Sequence, residues 1–555
     1  MLPGLPPLVH LETKTLDSDT SAVTLPASGT IAGHANFPAG SKHVVCIWQT
    51  RSTTATTSDQ GTNITVNGDT GAKYDLQRLD GASDSATPAA FWESGTTSWS
   101  NLAAHTGDSQ DAEFFSPTSL LIPHAFGTDN FTAAISVNGI GDQRVRMGMG
   151  QWEDTAAITS VTITPSSDNW KAGSTFSLYV VDEEYLVSSG EQIITGSAAA
   201  FSDVSVPSQV GDISIISYLR SSSTGVNEAL MIDLNADANN ANYSRQYLYG
   251  AASSAAAGND TTDRQIGGTM ATGADANHFS PALTTVNAFN YGANDPHVLA
   301  LGGNRSVSVS DGIAIIGSVR RNNVEAVTSV NLTANTSPNT WEIGSGMWVY
   351  AVPKILLQRQ EIGAGGATSV TFTLGDLTIP TTVKHLRLNY YARSDRSYTA
   401  TNLDIELNSS AADFDRQDVT GSASSPSAAQ AADNLIGEIP ADSATANEFG
   451  GGTILFADYS STSKHKHLLN LSGHTGSNVL TSRSMRWAQT AAIATIVLKD
   501  THDTGAKFLQ GSVFELEGIG DILGWSGTVM GIDDPGKVMG VEKANIGKVM
   551  GVESS

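Results

Sequence analysis

Residues Ile64–Gly81 read ITVNGDTGAKYDLQRLDG, and the pattern returns twice, as LMIDLNADANNANYSRQYLYG over Leu230–Gly250 and LDIELNSSAADFDRQDVTG over Leu403–Gly421. Each copy is a strand ending in Asn (Asn67, Asn235, Asn408), a small polar turn, then aromatic-x-x-Gln-x-aliphatic-x-Gly. The fixed positions are Tyr74/Gln77/Leu79/Gly81, Tyr243/Gln246/Leu248/Gly250 and Phe414/Gln417/Val419/Gly421. A period of roughly 170 residues is too long for a solenoid unit and right for a whole domain.

Other landmarks keep the same spacing. Upstream, alternating strands run into Arg-Ser: HVVCIWQTRS ending at Ser52, ISIISYLRSS ending at Ser222 and HLRLNYYARS ending at Ser394. Downstream come Phe115-Ser116-Pro117, Phe279-Ser280-Pro281 and Phe449-Gly450-Gly451, then DTAAITSVTIT, NVEAVTSVNLT and QTAAIATIVLK. Each copy closes on Gly-Ser (Gly173-Ser174, Gly344-Ser345, Gly511-Ser512) before a last apolar strand. The segments alternate or are β-branched, and Gly-, Ser- and Asn-rich stretches separate them. The reading is an all-β chain of three tandem antiparallel β-sandwich, jelly-roll-like domains with a short-repeat C-terminal tail. Its divisions are an N-terminal arm (1–30), three sandwiches (31–186, 187–354 and 355–520) and the tail (521–555). The arm begins with Leu2, Leu5, Leu8 and Val9 among prolines, which suits either docking on a partner or terminal disorder.

Lys plus Arg number 30 and Asp plus Glu 55, a net charge of −25. With no basic stripe, such a surface repels phosphate and argues against nucleic-acid binding. No run of about 18 apolar residues marks a membrane span. The N-terminus lacks the basic start of a signal peptide, so synthesis in the cytoplasm is expected. Cys46 is the one cysteine and sits in an alternating strand, as a core thiol does.

Three tail units, Gly527–Ile532, Gly536–Val541 and Gly547–Val552, repeat Val-Met-Gly-Val or a close variant. A unit this short does not fold alone. Between glycines and charges it suits strand addition to a neighbour's sheet edge or insertion into apolar pockets. The candidate partner-docking residues are therefore Val529, Met530, Ile532, Val538, Met539, Val541, Val549, Met550 and Val552.

The sequence carries no catalytic, cofactor-binding or metal-binding pattern: no His-Glu-x-x-His, Gly-x-Ser-x-Gly or Gly-x-Gly-x-x-Gly occurs. Asp182-Glu183-Glu184 reads as a solvated cluster, and Lys464-His465-Lys466-His467 as a surface strand. The tripled Tyr-x-x-Gln suits sugar stacking or, as its presence in every copy favours, plugging of a sandwich end. Arg51, Arg220 and Arg393 read as loop anchors.

The copies resemble a β-sandwich module of tailed-bacteriophage virion proteins: tail fibres, baseplate parts and head appendages. The matching stretches are LRLNYYARSD (Leu386–Asp395), LDIELNSSAADFDRQDVTG, WAQTAAIATIVL (Trp487–Leu498) and ITSVTITPSSDNWKAGSTFSLYVV (Ile158–Val181). The tail is similar to short C-terminal repeats on phage structural proteins. The resemblance implies a non-enzymatic virion component, with other virion proteins as partners, assembly as a homotrimer and no catalytic residues. It implies rigid sandwiches on short joints that project outward from one anchored terminus, with the C-terminal repeats the favoured anchor. The alternative is a carbohydrate-binding receptor protein at a fibre tip, recognising a host surface glycan through an exposed Trp92, Trp99 or Trp341.

Overall fold

A computed structural model of the chain describes residues 2, 5–56, 60–83, 85–141, 143–196, 200–207, 212–223, 228–251, 253–270, 278–287, 295–304, 312–323, 325–335, 340–352, 355–380, 383–445, 448–474, 479–500, 505–520, 537–538 and 541–542. The first sandwich contains β1 (Leu8–Thr15), β2 (Val23–Leu25), β3 (Val44–Thr50), β4 (Gln60–Val66), β5 (Tyr74–Ala82) and β6 (Ala89–Thr96). It continues with β7 (Trp99–His105), β8 (Ser116–Ile122), β9 (Thr132–Ile140), β10 (Arg144–Trp152), β11 (Val161–Pro165) and β12 (Thr175–Val181). An eight-stranded sheet in the order β1-β12-β3-β8-β9-β10-β5-β6 faces a four-stranded sheet in the order β2-β11-β4-β7.

The pairs β1–β12, β2–β11, β3–β8 and β4–β7 are nested and antiparallel. A long hairpin rolled into two sheets gives this arrangement, which is the jelly roll. The hairpins β5–β6 and β9–β10 widen one of its sheets. The strands of Leu186–Val352 and of Ile355–Gly520 repeat both sheet orders position for position. The chain is thus three jelly rolls of one topology.

Residues 8–25, expected as part of a free arm, form β1 and β2 of the first sandwich, in register with β12 and β11. A jelly roll needs both as the outer partners of its last two strands. The equivalent strands of the other copies begin at Leu186 and Ile355, at the expected joints.

The joints do not separate independent beads. Each sandwich has an interior of its own, lined by Val44, Cys46 and Trp48 in the first, Ile213, Ile215 and Leu219 in the second, and Leu386, Leu388 and Tyr390 in the third. A further apolar core joins all three. It contains Val45, Ile47, Met147 and Val181 from the first copy, Ile216, Leu299, Ile316 and Trp348 from the second, and Val419, Leu455, Leu469 and Leu471 from the third. The eight-stranded sheets therefore bury both faces, one in their own sandwich and one in the shared core. That explains why β3 is apolar almost without interruption while β11, VTITP, alternates buried and half-buried residues. Leu2, Leu5 and Leu8 enter this core, and the Leu5 carbonyl accepts from the Arg387 guanidinium at 3.3 Å. The expectation of sandwiches held apart on short joints is corrected: central burial of one face of each large sheet draws them together.

The repeated glycines lie where one copy packs tightly on the next. A Cβ on Gly81 would lie 2.1 Å from Val419 Cγ2 and 2.9 Å from the Asp418 carbonyl oxygen. One on Gly250 would lie 3.3 Å from the Arg78 carbonyl oxygen, and one on Gly421 3.3 Å from that of Tyr247. The first copy thus contacts the third, the second the first, and the third the second. This cyclic order closes a pseudo-threefold ring within one chain.

Candidate functional site at the first seam

Most of the tripled residues hold the sandwiches together. Asn67, Asn235 and Asn408 end their strands at φ of 55°, 56° and 51°, a conformation Asn tolerates better than most residues. Each clamps the loop before the next-to-last strand. The Nδ2 groups donate to the carbonyls of Ala157, Ala326 and Ala492 at 2.9, 2.8 and 2.9 Å. The Oδ1 atoms accept from the amides of Thr159, Thr328 and Ala494 at 2.6, 2.7 and 2.7 Å.

The Tyr74 hydroxyl accepts from the Val66 amide at 3.0 Å and donates to the Asp69 carbonyl at 2.9 Å. Tyr243 does the same with Leu234 and Asp237. Phe414 has no hydroxyl, and the Leu407 amide turns to the Ser410 carbonyl at 3.1 Å. So the aromatic, rather than the glutamine, satisfies the turn. Gln246 instead reaches the Gly421 and Ala423 carbonyls of the neighbouring copy, at 3.3 and 3.1 Å.

Arg51 donates to the carbonyls of Gly107, Ala112, Asp108 and Gln110, and Arg393 to those of Thr445, Glu448, Asp442 and Ala444. Both anchor loops as expected. The Gly-Ser turns place Ser174, Ser345 and Ser512 to accept from the backbone amides of Arg51, Arg220 and Arg393.

Two expectations about charged clusters change because both lie on seams between copies. Lys464, Lys466 and His467 are buried rather than on a surface strand. Lys464 reaches Gln49 and Thr175 of the first copy, and His467 stacks on Phe114 with ring centroids 4.9 Å apart. The Lys466 ammonium donates to the carbonyls of Ser461, Lys464 and Thr490, and burial pushes its pKa down to about 8. Glu183 is half-buried and accepts from the Lys42 amide and the Tyr350 hydroxyl, both at 3.0 Å. Its burial pushes the carboxyl up to about 7. Asp182 caps the short 3-10 turn that follows it. The Cys46 thiol is fully buried and pushed up to about 12, so it behaves as core.

Where the repeats disagree, a site opens. One residue before the cross-strand partner of the repeated aromatic stand Gln151, Arg320 and Arg486. On the seam between the third and first copies, Arg486 pairs with Asp111 at 2.9 Å and lies 4.6 Å over the Phe114 ring. On the seam between the second and third, Arg320 lies 3.6 Å from the Glu448 carboxylate. The seam between the first and second copies has Gln151 instead, only 4% exposed, and its side-chain amide has no hydrogen-bond partner among the described residues. His278, which corresponds to Phe114 and Glu448, pairs with Glu153 at 3.4 Å. Beside Gln151 lies a shallow surface groove lined by Asp75, Gln77, Trp92, Glu93 and Asn304 together with the apolar Met149 and Phe279. Asp75 is held by the Gly95 amide at 2.9 Å. Trp92 is 40% exposed, whereas Trp99 and Trp341 are buried in sandwich interiors.

Of the expected docking residues, Val529, Met530, Ile532, Met539, Val549, Met550 and Val552 lie outside the described residues. Val538 and Val541 pair across a two-stranded ladder, Lys537–Val538 with Val541–Glu542. Among the described residues no three His, Cys, Asp or Glu gather as a metal site, and no helix is long and apolar enough to cross a membrane. Sequence reasoning singled out Trp92 as one of three exposed-tryptophan candidates and missed Gln151. The available signal was the arginine at Arg320 and Arg486 against a glutamine at the same repeat position.

No known protein family and no curated protein matches the chain. Among solved structures it is 9% identical to the translocator domain of autotransporter NalP from Neisseria meningitidis, covering 80% of this chain and 89% of that one at a TM-score of 0.08. A tesB protein of Mycobacterium avium subs paratuberculosis is 8% identical, over 46% of this chain and 79% of that one at a TM-score of 0.10. Overlaps this poor carry neither fold nor function to this chain.

Proposed function

We propose that the chain is a non-enzymatic structural component of a bacteriophage particle, a three-lobed body joined to other virion proteins through its C-terminal repeats. The observation that carries this reading is the closed ring of three jelly rolls about one shared core. Jelly rolls recur in viral capsid proteins, and triplication in one chain makes a rigid, symmetric building block. Buried charges serve packing: in the shared core Arg387 meets Glu517 at 2.7 Å, and inside the first sandwich Arg146 meets Asp80 at 2.7 Å and reaches the Ala103 carbonyl of the facing sheet. Buried charges survive folding when paired in this way. The trimer that the resemblance implies is replaced in this reading by the internal ring, since one chain already carries three sandwiches about one axis.

The described core strands end at Gly520. Deletion of Gly527–Ser555 should therefore leave the melting temperature unchanged while the protein no longer co-sediments with particles. Normal incorporation of the truncated chain contradicts the anchoring role.

A further inference from the structure

The pseudo-threefold ring contains its own controls, because each seam repeats the same positions with different side chains. Opposite the repeated glutamine stand Trp92, Asn259 and Gln430, all of them exposed and only the first aromatic. At the position of Gln151, the other seams carry an arginine engaged by groups of the neighbouring copy. The first seam alone combines an exposed indole with a buried amide that no described residue satisfies.

We propose that this groove is a binding site for a neutral saccharide. The sugar ring would lie against the Trp92 face, with its hydroxyls exchanging hydrogen bonds with Gln151, Asp75 and Glu93. The chemistry of the walls selects this class. An indole offers a flat apolar face that suits the C–H face of a pyranose. The amide of Gln151 both donates and accepts, and carboxylates accept from hydroxyls. A buried amide without partners is unfavourable, and a ligand hydroxyl removes that penalty. No Lys or Arg lines the groove, and the chain carries a net charge of −25, so phosphate, sulfate and sialic acid are disfavoured. Apolar lining residues such as Met149 and Phe279 beside a few polar groups are how small-ligand sites are built.

This proposal is independent of the virion reading, because binding is measured on the isolated full-length chain. A printed panel of neutral oligosaccharides, including maltotriose, cellotriose and triacetylchitotriose beside sialylated and phosphorylated glycans, finds the best binder. Titration calorimetry then compares wild type with Trp92→Ala and Gln151→Arg. The second substitution places at the first seam the side chain of the other two. The expected result is binding of a neutral saccharide that each substitution weakens about tenfold or more, with the melting temperature unchanged in Trp92→Ala and a single cooperative unfolding transition retained in Gln151→Arg. The proposal is overturned if no neutral saccharide binds, if acidic glycans bind better, or if either substitution leaves the affinity unchanged.

Discussion

Asn67 shows how much one side chain can hold. Its amide closes the loop at Ala157 and Thr159, and its backbone sits at φ 55°. Asn67→Ala removes both hydrogen-bond partners of that loop and puts a less tolerant residue in the left-handed region. The expected loss is about 1–3 kcal/mol of unfolding free energy, measured by urea denaturation. Asn67→Gly keeps the backbone and loses only the clamp, so it should fall between wild type and Asn67→Ala. This clamp was half legible in the sequence. The triple Asn marked a strand end through its turn chemistry, but its partner was not readable, because the contact runs from one sheet of the roll to a loop some 90 residues on. The tripled glycine was harder still. It stood as a fixed position of the pattern with no reason visible in the sequence, and its reason is a neighbouring copy pressing on the strand.

At the scale of elements, each seam buries histidines. His43 meets the edge of Trp348 at 4.8 Å, His297 bonds Ser318 at 2.9 Å, and His467 lies on Phe114. Burial dominates all three, holding His297 at about 3 and His43 and His467 well below the ordinary value. They are neutral when folded, whereas the unfolded chain protonates them below about pH 6.5. Their contribution is therefore complete above pH 6.5 and declines as pH falls toward the folded values, by up to about 1.4 kcal/mol per pH unit for each group. Glu183, held at about 7, and Asp295, raised to about 6 chiefly by burial, oppose this because they take up protons more readily when folded. The expected net result is a lower urea midpoint at pH 5 than at pH 7, with a shallower decline in His467→Gln. An unaltered decline in that variant contradicts a buried neutral imidazole. The strands themselves were well read from alternation and turn residues. The seams were not: HVVCIWQT and KHKH look alike whether a second face meets solvent or another sheet. The N-terminal strands were missed for a related reason, since prolines and short length hid two strands whose partners lie about 150 residues away.

At the scale of the molecule, the triplication was legible and the ring was not. Internal repetition fixes how many domains there are and that they share a topology; it says nothing of how they pack. The shared core decides that. Three jelly rolls closed about one axis behave as one compact body, with a radius of gyration of about 24 Å for a chain of this length. Three separate sandwiches in a row would give a value well above about 30 Å. Small-angle X-ray scattering on the monodisperse chain ending at Gly520 tests the central claim most directly. The account predicts a radius near 24 Å with a single-peaked, symmetric distance distribution. A radius above about 30 Å with a long tail in that distribution would contradict it.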